Sequence, residues 1–127
     1  MNGKPPDKQR DKILDSIADG VFTVDRENNV TFFNRAAEKI IGISRNQAVG
    51  QKCFDVFRAN ICQTACALGK TIETGRNFIN LNINILNSEG RTVPVSVSTS
   101  VLRDENNDIV GGVETFRDLS TIETLRK

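Results

Sequence analysis

Ile79-Asn80-Leu81-Asn82-Ile83-Asn84-Ile85 and, beyond the turn Asn87-Ser88-Glu89-Gly90, Val93-Pro94-Val95-Ser96-Val97-Ser98-Thr99-Ser100-Val101 decide the architecture. Aliphatic residues alternate with Asn in the first run and with Ser in the second, the period of a strand with one covered and one wet face. The two runs read as long antiparallel strands. Their aliphatic side must face the rest of the chain, because a one-residue slip would bury a row of amides without partners. Pro94 lacks a ladder donor and predicts an edge position or a bulge.

Working outward, the loop Arg103 to Asp108 leads into a last strand from Ile109 to about Arg117, with a bend expected at Gly111-Gly112. Ser120 is a good N-cap and Glu123 completes the S-x-x-E box, so Thr121 to Lys127 reads as the first turns of an exit helix. Upstream of the strand pair, a helix is expected from near Cys62 to Thr74, with Ala65, Leu68 and Ile72 as its buried stripe and Gly75 as its stop. Cys53 to Phe57 reads as a shorter turn with Phe54 and Phe57 on one side. Asn34 stands as N-cap ahead of Arg35 to Ile41, which Gly42 ends, and Ser44 with Gln47 forms a capping box for a helix over Arg45 to Val49. Val21 to Asp25 and Val30 to Phe33 form a hairpin around Arg26-Glu27-Asn28-Asn29. An N-terminal helix from Asp7 to about Ala18 presents the narrow stripe Ile13, Leu14 and Ile17, to be buried on the domain or against a second copy.

A chain of 127 residues suits one domain. Seventeen basic against sixteen acidic residues leave a net charge of +1, so charge gives no reason to expect nucleic acid or a membrane surface as partner. No apolar run approaches a spanning length and the N-terminus is too polar for a signal peptide, which places the chain in the cytoplasm. The absence of His excludes Ser-His-Asp and Cys-His nucleophilic sites, His-ligated haem and His-containing zinc sites within the chain. With no paired acid-base motif either, an enzyme is the weakest reading.

The three cysteines, Cys53, Cys62 and Cys66, lie within fourteen residues. Cys62 and Cys66 are helical neighbours at the rim of the expected stripe. Together they are candidates for zinc or an iron-sulfur cluster, although C-x8-C-x3-C is a standard spacing for neither and a fourth ligand is needed. A reversible disulfide from Cys53 is a further option, and three small buried hydrophobes the bland one.

Ile13-Leu14-Asp15-Ser16-Ile17-Ala18-Asp19-Gly20-Val21, Val24-Asp25, Phe33-Asn34-Arg35-Ala36-Ala37-Glu38, Gly42-Ile43-Ser44, Gly50 with Phe54, Glu89-Gly90, and Gly111-Gly112 through Arg117-Asp118-Leu119-Ser120 punctuate the order of hairpin, short helices, longer helix, three antiparallel strands and exit helix. In these residues and this order the chain resembles the PAS sensory domain. It implies an α+β fold, a PAS-like five-stranded antiparallel sheet with short helices on one face and helices at both termini. The expected division is a lead-in and amphipathic helix over 1–19, the sensory domain over 20–120 and the start of an output helix over 121–127. The resemblance also implies a pocket between sheet and helices, for which Phe54, Phe57, Ile83 and Val97 are the candidate walls. Asp118, Leu119 and Ser120 resemble the family's Asp-x-Thr exit motif, and Asp118 is expected to fix the junction with the output helix. Lys52, Phe54 and Phe116 depart from the flavin-binding members of the family and argue against a flavin.

The expected function is a non-catalytic sensory and dimerisation module of a bacterial histidine kinase or enhancer-binding activator. It would act as a homodimer linked to an output domain, with a small ligand or a cysteine-borne redox or metal signal as input. The alternative is a self-association scaffold whose pocket its own side chains fill.

Overall fold

The computed structural model describes residues 12–59 and 67–120. Residues 7–11 of the N-terminal helix expected from Asp7 to about Ala18, the positions of Cys62 and Cys66, and the output helix over 121–127 lie outside the described residues; the described part of that first helix ends at residue 15, short of Ala18.

Among the described residues, six strands form one antiparallel sheet: β1 (Gly20–Asp25), β2 (Val30–Phe33), β3 (Arg58–Ala59), β4 (Leu81–Leu86), β5 (Thr92–Arg103) and β6 (Ile109–Asp118). Their order is β2-β1-β6-β5-β4-β3. Five are the expected ones. The sixth, β3, is a two-residue pairing of Arg58 and Ala59 with Leu86 and Ile85 at the edge beside β4. The described residues also hold four helices in the connections, α1 (Arg35–Ile41), α2 (Arg45–Ala48), α3 (Cys53–Val56) and α4 (Ala67–Thr74), and residues 12–15 make a helical turn ahead of β1.

The caps sit where their residue types demand. Asn34 Oδ1 accepts from the Ala37 amide and starts α1, and Gly42, at φ +90°, closes it with its amide on Glu38 O. Ser44 and Gln47 form the reciprocal box that starts α2. Asn34 does more than cap: its Oδ1 also accepts from Val21 N, and its Nδ2 donates to Leu14 O and Asp19 O. A fully buried amide with four satisfied bonds thus ties the lead-in, β1 and α1 together.

The alternation in β4 and β5 holds from Leu81 onward, with Ile83, Ile85, Val93, Val95 and Val97 buried. Ile79 departs from it. Asn80 adopts φ +54°, which breaks the strand before it starts and leaves Ile79 77% exposed.

Pro94 corrects the expectation of an edge or a bulge, since it pairs with Asn84 in unbroken register within β5. Its tolerance has a plain cause. The β5–β6 ladder ends at Val95–Asp118, so Pro94 lies past the last pair on that side, and its carbonyl accepts from Leu119 N there. The N and O of one strand residue point to the same side, so the missing donor falls where β6 has already ended.

Gly111-Gly112 likewise does not bend the chain. Both pair with β1 in continuous register, and the irregularity in the β5–β6 ladder leaves Val110 unpaired, one residue earlier. The glycines allow close approach instead. A Cβ on Gly111 would lie 2.0 Å from Val24 O, and one on Gly112 would lie 2.8 Å from Leu68 Cδ1 and 3.0 Å from Ile72 Cγ1.

The core lies between the sheet and the helices. At its centre Phe57 stands 5.3 Å from Phe22 and 5.0 Å from Phe116, ring centre to ring centre, and Phe22 and Phe116 are 6.0 Å apart. Tilted ring pairs at these separations are favoured by about 0.5–1.5 kcal/mol each beyond the area they bury.

Candidate functional site: a buried carboxyl on the inner face of the sheet

Along β6 the inward positions are Gly112, Glu114 and Phe116. Gly112 faces Leu68 and Ile72 of α4 and Phe116 faces the aromatic cluster, so strand parity sends the Glu114 side chain into the same interior. Its register neighbours are Phe22 on β1 and Thr99 on β5. Glu114 is only 4% exposed, and its Oε2 has no hydrogen-bond partner among the described residues. Burial pushes its carboxyl up to about 8, so near neutral pH the group is held mainly as the acid.

Thr99 does not relieve it. Phe78 N donates to Thr99 Oγ1, Thr71 Oγ1 donates to Arg76 O at 2.7 Å, and the two hydroxyl oxygens lie 2.6 Å apart. Since the Thr71 proton is committed to Arg76 O, Thr99 gives its own proton to Thr71. The donors of Phe78, Thr71 and Thr99 are taken, and Glu114 Oε2 is left without one among the described residues.

The expected pocket walls divide. Phe57, Ile83 and Val97 are buried on the inner face, with Val97 opposite Phe116 in the ladder. Phe54 is not: it is 50% exposed. The spacing rule that put Phe54 and Phe57 on one side holds within a helix, but α3 ends at Val56 and Phe57 has left it at φ −98°, ψ +86°. The inward pair three apart is Cys53 and Val56, both buried. Cys53 belongs to the apolar core cluster.

At the exit, Asp118 Oδ1 accepts from Ser120 N at 2.9 Å, and Leu119 N donates to Pro94 O. Arg117 reaches across to Asp19 at 3.2 Å, bringing the end of β6 beside the lead-in. The Asp19 carboxylate raises the pKa of that guanidinium. On the outer side of the hairpin, Arg45 donates to Phe33 O and pairs with Asp15 at 2.6 Å, while its guanidinium carbon sits 5.0 Å from the Phe32 ring centre. These contacts fix the lead-in to the domain.

Residues 18–121 match the family model described as PAS domain. The chain belongs to the PAS domain family. Among curated proteins this PAS domain is 34% identical over 110 residues to the signal transduction histidine-protein kinase AtoS of Escherichia coli, covering 87% of the chain and 18% of that protein. It is 29% identical to the sensor protein CitS of Halalkalibacterium halodurans, covering 93% of the chain and 20% of that protein. The chain thus spans about a fifth of the length of these relatives. Among solved structures, the PAS domain of a Colwellia psychrerythraea protein superposes with a TM-score of 0.74 at 21% identity, over 90% of this chain and 97% of that one. No helix among the described residues is long and apolar enough to cross a membrane.

Sequence reasoning passed over Glu114. The signal was available: Phe116 is apolar and Gly112 leaves room for a neighbour, so the residue midway between them in Gly112-Val113-Glu114-Thr115-Phe116 shares their face.

Proposed function

We propose that this PAS domain is a non-catalytic sensory and dimerisation module of a bacterial signal-transduction protein. It reads a small ligand at the inner face around Glu114 and passes the result along β6 to the element that follows Ser120. One observation carries the reading: Glu114 Oε2 is buried without a hydrogen-bond partner among the described residues, on the strand whose end holds Asp118. An unpaired buried carboxyl lowers stability, and strongly perturbed acids of this kind cluster at functional sites. A scaffold filled by its own side chains has no use for one.

Glu114 and Asp118 are four residues apart on one strand, so a shift of β6 at the first reaches the Leu119–Pro94 bond at the second. A cysteine-borne signal has less behind it. Cys53 is packed among apolar side chains, as a small hydrophobe is. The relatives favour a histidine kinase as the parent, acting in the cytoplasm as a homodimer with the output domain attached through the exit element.

Amide hydrogen exchange tests the coupling. At pH 4.5, where the two proteins are expected to be equally stable, replacing Glu114 with Gln should change the protection of the Leu119 amide while leaving that of Ala37, at the start of α1, unchanged. Equal protection of Leu119 in both proteins would overturn the reading.

A further inference from the structure

Apart from the acid proton of Glu114 itself, the inner face around it presents acceptors and no free donors among the described residues. Thr99 Oγ1 has given its proton to Thr71 and taken one from Phe78 N, which leaves it one lone pair, and Glu114 Oε2 has no partner. The described residues placed next to Glu114 by register are uncharged, Phe22 on β1 and Thr99 on β5, as are the α4 residues that meet its neighbours, Leu68 and Ile72 against Gly112 and Thr71 against Thr99. Three phenyl rings share its face of the sheet, with Phe22 opposite in the ladder, Phe116 two residues on, and Phe57 against both. Cations are attracted to such rings within about 6 Å of the ring centre. Ile72, which covers Gly112 from inside, also lines a depression of about 310 Å³ with Arg26, Asn28, Gly69 and Glu73. An approach from solvent therefore ends one side chain away from the carboxyl's strand.

The geometry points to a small organic ammonium ion as the ligand class of this face, its nitrogen on Glu114 and its apolar body against Phe22, Phe57 and Phe116. The inference rests on the sensory reading above and names its ligand. A neutral ligand rich in acceptors gains only the single acid proton here, whereas an ammonium supplies the donors and charge that the carboxylate and Thr99 lack. Binding converts the acid into a carboxylate: the O–H bond of Glu114 breaks, its proton goes to bulk water, and the ammonium keeps all of its own.

The test is calorimetric titration of the full chain with n-butylammonium chloride at several pH values, in buffers of different ionisation enthalpy, with n-butanol as the neutral match. About one proton should be released per ammonium bound at pH 6–7, and affinity should rise up to roughly tenfold per pH unit below 8 before levelling. Glu114→Gln should weaken binding at least tenfold at pH 8. Binding without proton release, equal binding by Glu114→Gln, or no binding at all would overturn the inference. If n-butanol binds as tightly as the ammonium, the cation class falls while the sensory reading stands. That reading fails on its own evidence, a Leu119 amide indifferent to changes at Glu114.

Discussion

Replacing Glu114 with Gln should make the domain more stable, and by an amount that depends on pH. The unfolded carboxyl ionises around 4.5, whereas burial holds the folded one as the acid up to about 8. Between those values the unfolded chain has released a proton that the folded chain keeps, so stability is full below the window and falls as pH rises through it. Each pH unit within it withdraws about 1.4 kcal/mol. The loss attributable to this one group is therefore roughly 3 kcal/mol at pH 7 and roughly 5 kcal/mol at pH 9.

Gln has nearly the shape of the neutral acid and does not titrate, so the two proteins should be equally stable near pH 4.5 and diverge above it. Urea unfolding of both at pH 4.5, 7 and 9 measures the difference directly, and contributions from every other titrating group cancel in it. A difference that stays constant across this range would refute the reasoning, because it would mean that Glu114 ionises alike in the folded and unfolded chain.

Asn34→Ala strands the amides of Val21 and Ala37 and the carbonyls of Leu14 and Asp19, and should cost about 2–4 kcal/mol in urea unfolding. A loss below 1 kcal/mol, on the order of a single exposed cap, would show that the latch does not hold as drawn. Gly111→Ala should prove worse than an ordinary core substitution, with a thermal midpoint lowered by ten degrees or more (about 3 kcal/mol or above), since its Cβ meets the Val24 carbonyl rather than a movable side chain. An unchanged midpoint contradicts the close approach of β1 and β6. Phe57→Ala should cost about 3–5 kcal/mol and Phe54→Ser no more than about 0.5 kcal/mol, so equal losses in the two would restore Phe54 to the core.

Local rules were legible wherever one residue type has one job. Asn34, Gly42 and the Ser44–Gln47 box marked the ends of α1 and α2 because their side chains or their freedom at positive φ close a helix end whatever surrounds it. The two-residue period of β4 and β5 was legible for the same reason. What escaped depended on neighbours in space. Phe54 followed the helical spacing rule until the chain left α3 a residue before Phe57. Gly111-Gly112 read as a bend because the sequence does not show the Val24 carbonyl pressing on one glycine and the α4 side chains on the other.

Thr99 interrupts the run of Val on the aliphatic side of β5 and drew no assignment of its own, yet it lies buried with its hydroxyl bonded to Phe78 N and Thr71. Glu114 is the largest omission. A carboxylate is expected on the wet side of a strand, and only the parity set by Phe116 and Gly112 assigns it to the dry one.

The central claim, that an unpaired acid stands inside the sheet, is tested most directly by titrating the Glu114 side-chain carboxyl carbon by NMR. Comparison with Glu114→Gln assigns its signal. The expected midpoint lies near 8. A midpoint in the ordinary glutamate range, at about 4.3, would contradict it.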